Sequence, residues 1–291
     1  HLRGGFSGLI YFFSFSRINY LYDLRAFWGQ WADGGRTKYG SLIYKLLIKL
    51  EKNLIKKASG IIVLDKSGEI YIRKNFDLKV PLFIIPTSTN IKKYEIQNRF
   101  SKDKLKFVYL GGGKHPPYRI KDAVLFIKYL IEKNINCEID FINKNDKEII
   151  NNIALENNLP KKNYSIFSID HEKIFKVLPK YDIGLIFLDL GKWIRMSSPT
   201  KIGEYLASGL IVIGNKGIAV LDRLANESNC VEIIEIKPNI NFYDESKIRN
   251  LCRKVKNPSL RNHARELAEK YYSLEKANKN YESIYKLLLN H

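Results

Sequence analysis

The sequence predicts an α/β fold built on parallel sheets, and three observations lead there. From Lys104 onward, short apolar runs alternate with longer amphipathic stretches in a nearly regular order. The first hundred residues carry a shorter version of the same alternation. The chain has 291 residues and is 45% hydrophobic, enough for sizeable cores in two domains. Parallel strands need crossover connections long enough to hold a helix, so this alternation implies parallel sheets with helices on both faces.

In the first unit, "SLIYKLLIKLEKNLIKKA" (41–58) reads as a basic amphipathic helix and "GIIVL" (60–64) as a strand. "SGEIYIRKNF" (67–76) follows as a helix and "PLFIIP" (81–86) as a strand. With three or fewer strands this unit is short for a doubly wound sheet. The polar stretch "YEIQNRFSKDK" (94–104) reads as a linker. Beyond it, "KFVYL" (106–110), "CEIDFI" (137–142), "YSIF" (164–167), "DIGLIFL" (182–188), "LIVIG" (210–214) and "VEIIEI" (231–236) read as strands. Helical patterns such as "KDAVLFIKYLIEKN" (121–134) separate them, and from Ser246 the pattern is helical. The expected division is a first domain over 1–100, a second over 101–270, and a helix over 271–291 packing back on the first.

Composition narrows the partners. Against 30 Asp and Glu stand 49 Lys and Arg, a formal charge of +19, which favours a phosphate-bearing partner: nucleic acid, an anionic membrane or a phosphorylated small molecule. The lysines are spread along the chain, so a solvated surface accounts for the excess as well. Cys137, Cys230 and Cys252 are odd in number and lack C-x-x-C spacing; neither a disulfide framework nor a zinc site is signalled, and a reducing cytoplasm is the expected setting. No apolar run reaches the 18 or more residues of a spanning helix. The chain starts at His1 without a signal-peptide pattern and reads as a piece whose own beginning has been removed.

Two stretches carry the chemistry. In "SSPTKIGEYLASGLIVIGN" (197–215), Ser198 suits an N-cap, Pro199 the first helical position and Gly209 the left-handed residue after the last turn, which places a helix over 199–208. The free N–H groups of Thr200 and Lys201 then face an anion at the carboxyl edge of the sheet. Glu204, one turn on, can accept paired hydroxyl hydrogens from a ribose. In "FVYLGGGKHPPYRIKDAVLF" (107–126), Gly111, Gly112 and Gly113 let the backbone approach a ligand, and Lys114 and Arg119 can embrace a diphosphate from two sides. Each stretch alone also reads plainly, as a capped helix and as a flexible turn with surface cations. The second lacks both the G-x-x-x-x-G-K-[ST] and the full G-x-G-x-x-G orders. Together they point to a nucleotide diphosphate. His115 and His171 stand in loops after strands, where side chains are commonly solvated; the loop from Ser168 to His171 is within reach of a base.

"SSPTKIGEYLASGLIVIGNKGIAVLD" (197–222) resembles the donor-binding segment of family-4 glycosyltransferases, retaining enzymes of the GT-B fold, in the branch that builds bacterial surface polysaccharides. "HLRGGF" (1–6), "YDLRAFW" (22–28), "LEKNLIKKASGIIVLD" (50–65), "IIPTSTN" (84–90) and the last helix agree in order. The resemblance implies two Rossmann-like domains, the first incomplete. It assigns Lys114 and Arg119 to neutralising the donor diphosphate, the Thr200 and Lys201 backbone to the distal phosphate, and Glu204 to the ribose. His1 matches a first-domain histidine, and Arg3, Asp23 and Arg25 are candidate acceptor-side residues. Three positions depart: Met196 stands where the first motif glutamate is expected, Asn90 where Asp is, and Ile211 where Pro is.

The implied partners are a nucleotide sugar and a glycan or lipid-linked acceptor. No Asp-x-Asp pair or spaced His cluster is present, so neither a metal nor another cofactor is expected. Along 41–57, Leu42, Ile43, Leu46, Leu47, Leu50 and Leu54 lie beside five lysines; that face is either core with solvated lysines or a dock for anionic lipid on the cytoplasmic side of the inner membrane. Two alternatives stand: a catalytically silent module that binds nucleotide sugar, and a nucleic-acid-binding protein. The last is favoured by charge alone, and without an RNP-like strand, zinc module or helix-turn-helix signal no nucleic acid is expected.

Overall fold

A computed structural model describes residues 19–97, 104–112, 117–236, 245–255 and 257–289. The expectations at His1, Arg3, Gly113, Lys114 and His115 lie outside the described residues. The first unit contains β1 (Leu21–Asp23), α1 (Gln30–Asp33), α2 (Leu42–Lys57), β2 (Gly60–Val63), α3 (Lys66–Asn75) and β3 (Leu82–Ile84). Then come β4 (Leu105–Leu110), α4 (Ile120–Glu132), β5 (Cys137–Ile142), α5 (Lys147–Glu156), β6 (Tyr164–Phe167), α6 (Ile174–Val177), β7 (Ile183–Ile186), α7 (Thr200–Ala207), β8 (Ile211–Asn215), α8 (Ala219–Glu227) and β9 (Val231–Ile234). Three helices follow: α9 (Glu245–Lys254), α10 (Pro258–Tyr271) and α11 (Leu274–Leu289).

The strands form two wholly parallel sheets, one in the order β1-β2-β3 and one in the order β6-β5-β4-β7-β8-β9. Each of the six apolar runs expected after Lys104 is one strand of the larger sheet, "VEIIEI" ending two residues early at Ile234. The inner strands β7 and β8 are buried along their whole length, which is why their sequences run apolar without alternation. In the first unit β1 was not foreseen. Three residues ending in Asp23 carry no strand signal, and the strand exists because its backbone pairs with Gly60, Ile61 and Ile62.

Two segments cross between the sheets side by side. The N–H of Thr89 donates to the Tyr272 carbonyl at 2.8 Å, and the N–H of Leu274 donates to the Thr89 carbonyl at 3.0 Å. From that crossing, α11 lays Ala277, Ile284, Tyr281 and Leu288 against Ile62, Ile85, Leu21 and Phe83 of the smaller sheet. α10 is held to the larger sheet by a buried ion pair: Arg261 Nη2 donates to Asp182 Oδ1 at 2.8 Å and to the Tyr181 carbonyl at 3.1 Å. The other oxygen of Asp182 accepts from the N–H of Lys106 at 2.9 Å, so helix, β4 and the start of β7 share one carboxylate.

The core of the first unit encloses a charged type. Glu51 of α2 is buried and accepts the N–H of Trp28 at 2.8 Å; burial raises its pKa to about 8, only partly offset by that bond. An acid whose pKa is raised on folding holds its proton in the native state and loses it in the unfolded one. Its cost to stability therefore grows as pH climbs from the ordinary carboxylate range to about 8. Glu51→Gln is expected to raise stability at pH 7 by on the order of 2 kcal/mol, the gain shrinking towards pH 4.5. Urea titrations of both proteins at the two pH values test this, and a gain independent of pH would contradict it.

Candidate active site

The larger sheet reverses its direction of growth between β4 and β7: the chain winds outward from β4 through β5 to β6, returns, and winds outward again through β7, β8 and β9. Connections leave the two central strands to opposite sides there, opening a crevice at their carboxyl ends. The turn Gly111–Gly112 leaves β4 at this point, and residues 187–199 leave β7.

The loops are shaped by side chains that complete their main-chain hydrogen bonding. Leu110, the last residue of β4, has both polar groups satisfied from α7: its N–H donates to Tyr205 Oη at 2.9 Å, and its carbonyl accepts from Lys201 Nζ. Residues four apart share a helix face, so one face of α7 grips the end of β4. Gly184 of β7 makes room for this, since a Cβ there would lie 2.3 Å from the Tyr205 ring. On one side, Asn143 after β5 donates to the Gly111 carbonyl at 2.6 Å and accepts from Asn145 and Asp146 N–H groups at 2.9 and 2.6 Å. On the other, Asn215 of β8 bonds both main-chain groups of Leu188, at 2.9 and 3.0 Å. The return of the glycine loop then pairs with the extension of β7, the N–H of Arg119 donating to the Phe187 carbonyl at 3.1 Å and that of Asp189 to the Pro117 carbonyl at 2.7 Å.

Several expected positions meet here. Gly111 has φ +139°, and a Cβ there would stand 2.5 Å from Lys201 Nζ and 3.0 Å from the Tyr118 ring; at Gly112 it would stand 3.1 Å from that ring. The glycines thus admit Tyr118 and the lysine, neither of which the sequence reading placed there. Arg119 immediately precedes α4, its guanidinium held by both oxygens of Asp122 at 2.5 and 3.2 Å, with Asp189 at 3.8 Å. Burial raises the Asp189 carboxyl, Asp122 adding to the shift and Arg119 opposing it. Thr200 and Lys201 open α7, in the turn whose amides have no partner within the helix.

The cap is a correction. Pro199, not Ser198, is the residue flanking the helix, which runs over Thr200–Ala207, and no side chain caps it. Ser198 is buried and bonded instead across the units, its carbonyl accepting from Thr87 Oγ1 at 2.8 Å. Gly209 has φ +76°, the left-handed conformation expected of it. Glu204 is 5% exposed, and its Oε1 lies 3.0 Å from His171 Nε2 in the loop after β6. Burial raises the Tyr94 hydroxyl to about 12, and the Glu204 carboxylate also raises it.

Asp23 and Arg25 are not brought to this crevice. They pair with each other at 3.0 Å and both engage Tyr281 of α11, tying the first sheet to the last helix. Ile211 is buried in β8, and Asn90 precedes a short 3-10 turn after the crossing segment. A cavity of about 550 Å³ lies elsewhere, between Ile84–Pro86, α8 and the start of α11, where Arg223 pairs with Asp65 and Glu227 at 3.1 Å each. No group of three or more His, Cys, Asp or Glu with metal-ligand proximity occurs among the described residues.

A contact between the units was also invisible in the sequence. Trp193, in the loop after β7, is buried in the first unit's core with its ring 5.3 Å from Phe27 and 5.4 Å from Tyr71. Asp33 Oδ2 accepts the N–H groups of Trp193 and Ile194 at 2.7 and 2.8 Å, and a Cβ at Gly191 would collide with that carboxylate at 2.2 Å. Met196 packs against the same core.

Two parallel sheets, a switch point and a returning C-terminal helix define the GT-B fold of nucleotide-sugar glycosyltransferases. No protein-family profile and no curated protein matches the sequence. Among solved structures, a sucrose-phosphate synthase from Thermosynechococcus elongatus matches with a TM-score of 0.72 at 15% identity, over 98% of this chain and 71% of that one. WaaG, a glycosyltransferase involved in lipopolysaccharide biosynthesis, matches at 0.61 and 14%, over 90% and 75%. HepE from Anabaena, solved with UDP and glucose, matches at 0.62 and 11%, over 93% and 72%. Some other matching structures, TarM among them, are larger, and the chain spans about half of each.

Because Asp33 receives two amides on one oxygen, Asp33→Ala is expected to speed hydrogen exchange at Trp193 and Ile194 about tenfold or more. Exchange in β7 should be unchanged. Parent-like protection at both amides would show that this carboxylate does not hold the loop.

Proposed function

We propose that this protein is a retaining glycosyltransferase that moves a sugar from a nucleotide-diphosphate donor to a glycan or lipid-linked acceptor in surface-polysaccharide synthesis. One observation carries the reading: the glycine turn and the start of α7, two separate phosphate signals in the sequence, meet at a single switch point of a GT-B fold. The fold neighbours named as glycosyltransferases, and the UDP and glucose held by HepE, support it.

In this reading Arg119, oriented by Asp122, works with Lys114 to neutralise the charge that grows on the leaving diphosphate. The amides opening α7 face the distal phosphate. Glu204 takes the ribose hydroxyls and His171 lies beside it. The retaining course rests on the resemblance of the 197–222 segment, and the proposal that no metal is required rests on the lack of an Asp-x-Asp pair or spaced His cluster in the sequence. A second reading, a silent nucleotide-sugar-binding module, is favoured by Met196, an apolar packing residue where the family expects a glutamate. Measuring sugar transfer or donor hydrolysis by the protein including any preceding residues separates the two.

Glu204→Gln is expected to weaken nucleotide-sugar binding by about 1 to 3 kcal/mol and to leave a 2'-deoxyribose donor nearly unaffected, as read by calorimetry. Full ribose discrimination in the variant would move the ribose away from Glu204.

The reading extends to a cytoplasmic, membrane-docked enzyme. The first turns of α2 leave Leu42, Ile43 and Leu46 84%, 62% and 54% exposed, with Trp31 and Tyr39 exposed in the preceding segment. Lys45, Lys49 and Lys52 are exposed on the same helix. Apolar and aromatic side chains beside lysines suit the surface of an anionic bilayer. No helix among the described residues is long and apolar enough to cross one. Sedimentation with phosphatidylglycerol-containing vesicles should capture the parent and release it when Leu42, Ile43 and Leu46 are all changed to Ser. Equal capture of both would remove this face from the proposal.

A further inference from the structure

We propose that the side chain of Lys201 is itself a ligand of the donor diphosphate, an ammonium held at the switch point between the glycine turn and the start of α7. The inference rests on the nucleotide-diphosphate reading of this site and adds to it a cation that neither signal contained, since the helix signal used Lys201 only through its backbone and the glycine signal did not use it.

Position is the first argument. Lys201 Nζ binds the Leu110 carbonyl at the end of β4 and lies where a Cβ on Gly111 would stand only 2.5 Å away. The glycine is therefore needed for the ammonium to sit there at all. The surroundings are the second argument. An ammonium has three N–H donors, and among the described residues the contacts of this one are a single carbonyl and the faces of Tyr118 and Tyr109, with ring centroids at 4.5 and 5.7 Å. Among the described residues it forms no ion pair. Glu204, the carboxylate whose charge acts on it, is bonded to His171.

A positive charge held in this way has no close counter-ion among the described residues, and burial lowers its pKa to about 8 with Glu204 opposing. The titratable groups facing it are Glu204 on its own helix, Tyr109 on β4 and Tyr118 before α4; Asp146 stands near Gly112 in the adjoining turn. A diphosphate seated against Nζ supplies the missing counter-charge and stabilises the protonated form. Binding is then strongest below about pH 8 and weakens as pH rises through that value, because the free protein must regain a proton to bind. A lysine that only held the Leu110 carbonyl would confer no such dependence.

Calorimetry with ADP, GDP and UDP at pH 7 and pH 9 tests this on the parent, Lys201→Met and Lys201→Arg. For whichever diphosphate binds, the parent should weaken about tenfold across that range. Lys201→Met should bind at least about tenfold more weakly at pH 7 and lose the slope. Lys201→Arg, charged at both pH values, should bind at pH 7 and also lose the slope. Parent affinity and slope in the Met variant would overturn the role of Lys201 while leaving the nucleotide-diphosphate site standing. Failure of the parent to bind any of the three would overturn both. Melting curves report whether each variant folds; if the Met variant does not, a parent-like slope in the Arg variant overturns the proposal.

Discussion

Everything at the crevice depends on how the main-chain groups at the end of β4 are satisfied. A parallel sheet that reverses its growth leaves its two central strands without a connecting chain between their carboxyl ends, and the polar groups there have to find partners. Here Leu110 finds both on one helix, the hydroxyl of Tyr205 and the ammonium of Lys201. That double contact sets the height and rotation of α7 against the sheet, so the first turn of the helix comes to the glycine turn. Gly184 and Gly111 are the two places where the backbone gives way to allow it, one for the tyrosine ring and one for the lysine.

The same economy governs the flanks. Asn143 and Asn215 stand at the ends of the strands on either side of the central pair, and each uses its amide as a surrogate peptide, bonding the loop that leaves the neighbouring strand. A side-chain amide offers a donor and an acceptor at once, which few other side chains can do for a free main-chain pair. The loops are thereby ordered from within the larger sheet.

The loop after β7 is ordered from outside as well. Trp193 and Met196 are inserted in the first unit's apolar core, and Asp33 holds the turn between them by its amides. The segment leading into α7 therefore belongs energetically to both units. Any movement of one unit against the other has to carry this loop or extract an indole from its pocket, which couples the arrangement of the units to the geometry of the switch point.

Much of the fold was legible in the chain alone. Strands such as "DIGLIFL" and "LIVIG" are continuous apolar runs because they are covered on both faces, and the positive φ of Gly209 follows from its place after a helix. These are local consequences of hydrophobic burial and backbone sterics, and neighbouring residues suffice to determine them. The glycine turn and the α7 start were legible as two signals that together point to one nucleotide diphosphate site, because both follow parallel strands and so lie at one sheet edge. Only the tertiary structure decided that Tyr118 and the Lys201 ammonium fill the space at the glycines, that Ser198 bonds Thr87 instead of capping a helix, and that Asp23 and Arg25 serve the last helix. β1 was missed for the same reason: its pairing partner lies almost forty residues away. A side chain's hydrogen-bond partner is set by which elements pack together, and pairs such as Asp33 with Trp193 are 160 residues apart. No local pattern encodes such a meeting, because it exists only once two apolar faces have been buried against each other.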